Sequence, residues 1–378
     1  MPSQRKRAAT EPPPVRPATT PRGSDGHSRG KVRRTEAATQ AAKEIAIAAA
    51  AEPAVTVRGN YVVESQKGCF VTHGDRGGWL LSHGPYDPAA FGLDEDETPP
   101  DLAVDPETMT LSIINPSTAT LSYFVTVDHP VLIGGAAADG AVGGVRGVAA
   151  AADGREPRPL AAHPAPVTFV VVLGPKNMAD VCQIDVAAID EDGPDFELRV
   201  SSDVKNVAPC VDTQEFDPAR TYRFPLGPGG PYLCSQGFGG EFTHFYPGTF
   251  HAVDFECPVG TAVLAVGNGS VVEVDQEHAA TGCDVSNLFK WNSVMLRLDD
   301  GVFVEYVHIR RGSCPLRPGD IVRAGDKICE SGDVGFCPTP HLHLQMHVSA
   351  AKDAPTIRFA LRDSSGVASF PQAGRWYE

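Results

Sequence analysis

The stretch Ser293-Val-Met-Leu-Arg-Leu-Asp-Asp-Gly-Val-Phe-Val-Glu-Tyr-Val-His308 consists of two mostly apolar runs that flank Asp299-Asp-Gly. Both runs are rich in β-branched and aromatic residues, so the stretch predicts a β-hairpin. Residues 262–274 predict a second hairpin, because Asn268-Gly269 suits a tight turn with positive φ angles. His341-Leu-His-Leu-Gln-Met-His-Val predicts a last strand. Together these segments predict an antiparallel barrel or sheet in the C-terminal third.

The upstream part of the chain has the same β character. Apolar segments bounded by Asn, Pro, Gly and Asp predict strands at 111–115, 121–127, 167–173 and 196–200. We therefore predict an all-β chain with an antiparallel, sandwich-like accessory domain over 58–215. A Gly/Ala-rich insert at 134–165 is predicted to be a long mobile loop of this domain. The 38 Gly and 33 Pro residues favour short strands and turns over long helices.

Charge is distributed unevenly along the chain. The net charge is −15, yet the first 35 residues carry nine Lys and Arg against two acidic residues. The remaining, acidic body argues against nucleic acid as a partner of the folded part. A Pro- and Gly-rich crossing at 217–231 predicts a boundary there. We predict a disordered basic and Ala-rich tail over 1–57, a second β domain over 216–350 and a C-terminal extension over 351–378.

Targeting and redox signals leave the compartment open. No apolar run approaches the roughly 18 residues that span a bilayer, so no membrane span is predicted. The segment 45–51 follows Lys43 and Glu44 and is too short for a signal-peptide core, while the basic head resembles an organellar transit peptide. The nine cysteines include no Cys-x-x-Cys pair, which argues against a structural Cys-type zinc site. Either a disulfide between Cys314 and Cys337 or free thiols would fit the sequence.

Histidines and one carboxylate form the candidate chemical site. Residues i and i+2 of a strand point to the same face, so His341 and His343 project together. His308 ends the strand of another predicted hairpin, and Asp254 stands in Ala252-Val-Asp-Phe. One Asp with two or three His and no paired Cys is a ligand set suited to catalytic zinc, with one position left to water.

These residues stand in an ordered series of motifs. The motifs are an Asp-bearing strand with a Pro-x-Gly-Thr turn, a Tyr-x-His strand, a Gly-Asp block and a His-x-His strand: Ala252-Val-Asp-Phe-Glu-Cys-Pro-Val-Gly-Thr-Ala-Val-Leu-Ala, Glu305-Tyr-Val-His-Ile, Arg317-Pro-Gly-Asp-Ile-Val-Arg-Ala-Gly-Asp-Lys-Ile and Pro340-His-Leu-His. In order and spacing, residues 236–348 resemble the lysostaphin/LytM-type family of zinc metallopeptidases, which cleave peptide cross-links of bacterial peptidoglycan. The resemblance covers about a third of the chain.

The resemblance implies a function and a role for each residue. Asp254 and His343 would be zinc ligands, and His308 and His341 would position and deprotonate the zinc-activated water. It implies Zn²⁺ as cofactor, peptidoglycan or another peptide as partner, and an extracytoplasmic location. The residue types agree, because a neutral imidazole can accept a proton from a water whose pKa zinc lowers toward about 7.

The sequence departs from the family at the first metal ligand. The family has a His four residues before the Asp, and Phe250 occupies that position here. His251 and His244 are the two candidates for this ligand. His251 is at an odd offset from Asp254, so on a regular strand it would face away from the metal. The alternative, His244, would reach the site from a loop and is favoured, although a bulge at His251 would reverse the choice.

A second functional hypothesis follows from the same departure. The missing His at position 250 is consistent with a catalytically degenerate module that binds cell wall or regulates another hydrolase. The presence of Asp254, His308, His341 and His343 favours the zinc endopeptidase. Zinc content of the purified protein separates the two hypotheses.

Overall fold

The structure is a computed structural model that describes residues 54–73, 79–88, 98–134, 145–148, 159–189, 197–207, 217, 219–351 and 354–378. Within these ranges the regular structure is nearly all β-strand, as predicted, and the helices are short 3₁₀ turns at Val63–Ser65, Val186–Ala188 and Val285–Asn287. None of these described helices has the length and apolarity to cross a membrane. The predicted tail over 1–57 lies outside the described residues up to position 53.

The strands are short and follow one another along the whole described chain. Those in the first half are β1 (Val57–Arg58), β2 (Tyr61–Val62), β3 (Cys69–His73), β4 (Ser82–Pro85), β5 (Leu102–Val104), β6 (Thr110–Asn115), β7 (Leu121–Val127), β8 (Val131–Gly134), β9 (Val145–Val148), β10 (Pro159–His163), β11 (Val167–Leu173), β12 (Asn177–Ile184) and β13 (Val200–Asn206). Those in the second half are β14 (Thr221–Arg223), β15 (Tyr232–Gln236), β16 (Val253–Glu256), β17 (Ala262–Leu264), β18 (Gly269–Asp275), β19 (Ser293–Leu298), β20 (Phe303–Val307), β21 (Ile321–Val322), β22 (Lys327–Glu330), β23 (His341–His347), β24 (Ala360–Arg362), β25 (Ala368–Ser369) and β26 (Trp376–Tyr377).

The second half is built on one large open sheet. Its described order is β1-β2-β15-β16-β23-β20-β19-β18-β21, and β26 pairs with β15 off this path. The path ends at different strands on its two sides, so the sheet does not close into a barrel. Strands near both ends of the described residues extend it, because Tyr61 of β2 and Tyr377 of β26 both pair with β15.

The predicted hairpin over 293–308 is confirmed. β19 and β20 pair antiparallel from Ser293↔Val307 to Arg297↔Phe303, and the turn between them contains Gly301 at φ +88°. The positive φ explains the glycine, because L side chains are disfavoured there. The predicted last strand is likewise present as β23.

The predicted hairpin over 262–274 is wrong. β17 pairs with β22, and β18 pairs with β19 and β21, so the two runs do not face each other. Asn268 and Gly269 do not adopt positive φ angles. Gly269 is needed for close approach instead, since a Cβ there would clash with the carbonyl of Arg297 on the adjacent strand. A Gly inside a strand can mark a close approach of two backbones as well as a turn, so the Asn268-Gly269 pair alone does not predict a turn.

The accessory part has two sheets, as expected of a sandwich. One sheet has the order β5-β6-β12-β8-β10-β9 with β4 beside β12, and the other has the order β13-β7-β11-β3. The pairing is antiparallel except between β3 and β11. Residues from both sheets, among them Ile113, Tyr123, Phe169 and Val181, form one buried core.

The smaller sheet is buried on both faces. In β11, Phe169 and Val171 face the sandwich core, whereas Val170 and Val172 belong to a second cluster on the other side. Strands covered on both faces become continuous apolar runs, which explains the unbroken 167–173 segment. The second cluster joins Phe124 of this sheet to Phe242, in the peptide that follows β15, and to Phe336, in the peptide that precedes β23.

Two predictions about the accessory part need correction. The insert over 134–165 is not only loop, because the structure describes β9 and β10 within it. The strand predicted at 196–200 begins instead at Val200 and runs to Asn206, pairing with β7.

The eight described cysteines are all free, so Cys314 and Cys337 form no disulfide.

We expect the cluster between the accessory sheet and the large sheet to contribute strongly to stability. Phe124 is 1% exposed, and its ring lies 6.1 Å from that of Phe336 in an edge-on arrangement. Phe124→Ala should therefore lower the free energy of unfolding by about 3–5 kcal/mol, as buried Phe→Ala substitutions do. Urea unfolding followed by fluorescence measures the loss.

Phe289 provides the matched control, because its side chain is 61% exposed. Phe289→Ala should change the free energy of unfolding by less than about 1 kcal/mol. Equal losses in the two variants would contradict the importance of the cluster.

Candidate active site

The site lies where β15, β16 and β23 pair side by side and β20 ends. Asp254 of β16 stands directly opposite His343 of β23 in the ladder. On the other side of β23, His343 pairs with Val307, the last residue of β20. Directly opposed residues carry their side chains on one face, so the register itself brings Asp254 and His343 together. His308 follows β20 immediately.

Three side chains converge on one point. The ligand atoms of His244, Asp254 and His343 all lie within 4.8 Å of one another, and all three residues are buried. His343 Nδ1 lies 2.9 Å from Asp254 Oδ1 and 3.2 Å from His244 Nε2. His244 Nε2 lies 3.3 Å from Asp254 Oδ2. Two imidazoles and a carboxylate at this separation can share one cation.

The two oxygens of Asp254 differ in their surroundings. Oδ2 accepts a hydrogen bond from Gln236 Nε2 at 2.8 Å. Oδ1 is buried and accepts no hydrogen bond among the described residues, although His343 Nδ1 is close. A buried charge is costly, and a cation held between Asp254 Oδ1, His244 Nε2 and His343 Nδ1 would compensate it. The residues present therefore fit a metal ion.

His244 reaches the group from the turn-rich segment between β15 and β16. Its Nδ1 faces the carbonyl of Gly237 at 3.2 Å. Because a carbonyl oxygen only accepts hydrogen bonds, this contact places the proton on Nδ1 and leaves the Nε2 lone pair toward Asp254. Gln236 holds the same segment, since its Oε1 accepts from the Thr243 amide at 2.9 Å.

The structure brings His244 and not His251 to Asp254. His251 precedes β16 in a turn, and its Nδ1 lies 3.0 Å from the carbonyl of Thr356. Its ring packs against Phe238 and Phe250. No bulge turns His251 toward the site, because β16 begins only at Val253.

His308 and His341 line the same site with their rings 4.6 Å apart. His308 Nδ1 lies 2.7 Å from the carbonyl of Val334, and His341 Nδ1 lies 2.7 Å from that of Thr339. Each carbonyl places a proton on Nδ1, which leaves the Nε2 atoms able to accept a proton. His341 Nε2 lies 3.7 Å from Asp254 Oδ1, next to the group of three ligand atoms.

The pKa values follow from burial and from this crowding. Burial lowers the pKa of His308 well below its ordinary value, and the neighbouring imidazoles His341 and His343 lower it further. Burial likewise lowers the pKa of His244, against the effect of Asp254. Burial would raise the pKa of Asp254, but the surrounding imidazoles, His244 foremost, hold it well below the ordinary value. Burial opposes protonation of His343, yet Asp254 raises its pKa overall.

The cavity at the site is small. It measures about 20 Å³ and is lined by Gln66, Ser235, Phe242, Thr243, Asp254, His308, Phe336, Pro338, Thr339, His341 and His343. One water needs a cavity of roughly 10–15 Å³, so the space fits about one water or ion. Gln66 follows the 3₁₀ turn Val63–Ser65, three residues before β3, and its buried Oε1 accepts no hydrogen bond among the described residues.

Two imidazoles and a carboxylate at this separation on an open β-sheet suit a divalent metal ion. Residues 249–355 match Peptidase family M23, which confirms the resemblance of this segment to lysostaphin/LytM-type metallopeptidases that the sequence motifs predicted. The match begins after His244, which therefore lies outside the matched residues.

Relatives with known names match the same part of the chain. Lysostaphin of Staphylococcus simulans is 31% identical over 120 residues, which are 32% of this chain and 22% of that protein. Glycyl-glycine endopeptidase ALE-1 of Staphylococcus capitis is 32% identical over 115 residues, 30% of this chain and 29% of that protein. The chain thus spans less than a third of either curated relative.

Among solved structures, the catalytic domain of the antimicrobial peptidase lysostaphin from Staphylococcus simulans is 26% identical to this chain. The superposition covers 36% of this chain and 86% of that domain, with a TM-score of 0.25.

Other polar residues of the site had no motif to reveal them. Gln236 donates to Asp254 and Gln66 lines the cavity, and neither belongs to a recognisable spacing, although Gln345 could be placed on the His341–His343 face by strand periodicity. His347 lies at the end of β23 with its Nδ1 3.0 Å from the carbonyl of Ala354, away from the ligand group.

We predict that His308 makes the metal-free chain sensitive to acid. Its pKa is lowered in the folded state, so it stabilises the fold above about pH 6.5, and that stability is lost as the pH falls below this value. One such proton changes the free energy of unfolding by about 1.4 kcal/mol per pH unit. His308→Asn should reduce this dependence between about pH 7 and 5, measured by urea unfolding after metal removal.

Asn is the appropriate replacement, because His308 has φ +61° and Asn tolerates this conformation. His278→Asn is the control, since the His278 side chain is 39% exposed and lies outside the site. An unchanged pH dependence in His308→Asn would show that the buried imidazole is not responsible.

Proposed function

We propose that residues 216–350 form a zinc-dependent endopeptidase domain that hydrolyses peptide bonds in peptidoglycan-like cross-links. The observation that carries the proposal is the buried group His244, Asp254 and His343, whose carboxylate oxygen and imidazole nitrogens lie within 4.8 Å of one another. Three protein ligands with a fourth position left to water are the arrangement of catalytic zinc, whereas structural zinc sites are closed by four.

The proposed ligand atoms are His244 Nε2, Asp254 Oδ1 and His343 Nδ1. When bound, zinc would lower the pKa of a water toward about 7 and polarise the scissile carbonyl. Gln236 holds the carboxylate through Oδ2 and leaves Oδ1 for the cation. The carbonyl of Gly237 fixes the ring of His244 in the same way.

His341 and His308 supply the proton transfers in this proposal. Both have Nδ1 held by a backbone carbonyl, so Nε2 is the free acceptor. The lowered pKa of His308 keeps that ring neutral at pH 7. A neutral imidazole near the attacking water can accept its proton, and the resulting imidazolium can then donate to the oxyanion or the leaving amine. His341 is the proposed base, because its Nε2 lies 3.7 Å from Asp254 Oδ1, next to the proposed ligand atoms.

The substrate class rests on the relatives. Lysostaphin and a glycyl-glycine endopeptidase match the segment, and the second name describes action on a peptide bond between glycines. We therefore propose short, Gly-containing cross-links of a cell-wall polymer as substrate, at an extracytoplasmic location. The matched part is about a third of this chain, so the role of the accessory sheets is a separate question.

Access to the site requires a change in its walls. A space of about 20 Å³ admits no peptide. Gln66 before β3 and Thr339 before β23 form adjoining walls, and Thr339 Oγ1 donates to the carbonyl of Ser65 at 3.4 Å. A substrate must separate these two segments to reach Asp254.

The covered site also supports the alternative of a degenerate module that binds cell wall or regulates another hydrolase. Phe250 in place of the family's first His supports it too. The alternative predicts no stoichiometric zinc and no hydrolysis, so the two experiments that follow separate it from the endopeptidase.

We predict that His244 and not His251 is required for zinc. His244→Ala should remove one of three ligands and abolish stoichiometric zinc, measured by elemental analysis of the purified full chain. His251→Ala should retain about one zinc per chain, because its ring faces Thr356. Zinc loss in His251→Ala with retention in His244→Ala would reverse the ligand assignment.

We predict that His341→Ala lowers the rate of peptidoglycan hydrolysis by about 10²–10⁴-fold, the usual contribution of a general base. Release of new amino groups from purified peptidoglycan is the measurement. Chelation of zinc should abolish the activity, and added zinc should restore it. His278→Ala is the matched control and should keep the wild-type rate, because His278 is outside the site. Equal rates in His341→Ala and wild type would remove His341 from the mechanism.

A further inference from the structure

A row of polar side chains in hydrogen-bond contact leads from His343 across the sheet to the carboxylate of Glu305. Gln345 lies two residues after His343 in β23, on the same face, and both side chains are buried. Gln345 Oε1 lies 3.1 Å from His343 Nε2. Gln345 Nε2 donates to Glu305 Oε2 at 2.8 Å, and Glu305 stands directly opposite Gln345 on β20.

The donor and acceptor groups of these side chains fix the direction of each hydrogen bond. A carboxylate only accepts hydrogen bonds, so Glu305 must face the NH₂ end of the Gln345 amide. The amide oxygen is then left toward His343, and it also only accepts. His343 must therefore carry a proton on Nε2, which turns Nδ1 and its lone pair toward Asp254 and His244.

We propose that Glu305 and Gln345 are positioning residues that hold the His343 ring with Nδ1 directed at the ligand group. The consequence for zinc rests on the proposed function, whereas the consequence for the ring does not. Metal-binding histidines commonly donate their second N–H to such a partner, and loss of the partner costs about 10–100-fold in metal affinity.

A purely structural role for the pair gives a different expectation. A cross-strand Glu–Gln pair stabilises a sheet by about 0.2–1 kcal/mol and has no reason to affect metal binding. Gln183 is a comparable residue, because it lies in a strand of the accessory part and donates to Thr110 Oγ1 across the sheet at 3.5 Å. It has no contact with the site, so Gln183→Met reports the effect of losing such a pair alone.

The test compares Glu305→Met, Glu305→Gln and Gln345→Met with wild type and Gln183→Met in the full chain. Zinc affinity is measured by competition with a chromogenic chelator. We expect Gln345→Met and Glu305→Met to bind zinc about 10–100-fold more weakly. Glu305→Gln should restore binding to within about threefold of wild type, because its amide oxygen can still accept from Gln345. Gln183→Met should match wild type.

A second measurement does not depend on metal. In the zinc-free, ¹⁵N-labelled chain, His343 Nε2 should carry a proton that exchanges slowly with solvent, and Gln345→Met should make that exchange fast. Glu305→Met is the variant to rely on if Gln345→Met fails to fold, because Glu305 is only half-buried.

The outcomes separate this inference from the proposed function. Wild-type zinc affinity and an unchanged Nε2 proton in Glu305→Met would overturn the positioning role. A wild-type chain that binds no zinc but has the protected Nε2 proton would overturn the zinc endopeptidase and support the positioning of the ring.

Discussion

The site depends on one carboxylate buried within a β-sheet. Asp254 is 5% exposed, and an isolated charge at such a place costs several kcal/mol. Its compensation comes from three separate parts of the chain: Gln236 at the end of β15, His244 in the following turns and His343 in β23. The arrangement can therefore form only when the large sheet is complete.

The strand register places the groups that compensate the charge of Asp254. Asp254 and His343 are paired residues, and a shift of one residue would turn one of them to the other face. The same ladder places Glu305 opposite Gln345, so the proposed ligands and their proposed support arise from a single alignment of three strands. His308 stands at φ +61° just beyond β20, where the backbone leaves the ladder and carries the ring toward His341.

Periodicity predicted much of this arrangement. The His341–His343 face, the hairpin that leads to His308 and the all-β class follow from alternation and turn residues. The partner of a strand does not follow from them, which is why β17 was wrongly assigned to β18. The odd offset of His251 from Asp254 favoured His244 as the first ligand, and the structure brings His244 to Asp254 and His343. Gln236 and Gln66 escaped notice, because a single Gln has no spacing that predicts which distant backbone it will meet.

The accessory part is physically continuous with the site. β7 and β11 are covered on both faces, and the side away from the sandwich core packs on Phe242 and Phe336. Phe336 and Gln66 in turn line the space in front of Asp254. The residues matched by the family begin at 249, after Gln236 and His244. The matched segment taken alone would thus lack the support of the carboxylate, one imidazole of the group and a wall of the cavity. Phe242 and Phe245 flank His244 in the same segment and pack in the cluster that contains Phe124 and Val170 of the accessory sheet, so that sheet holds the segment that completes the site.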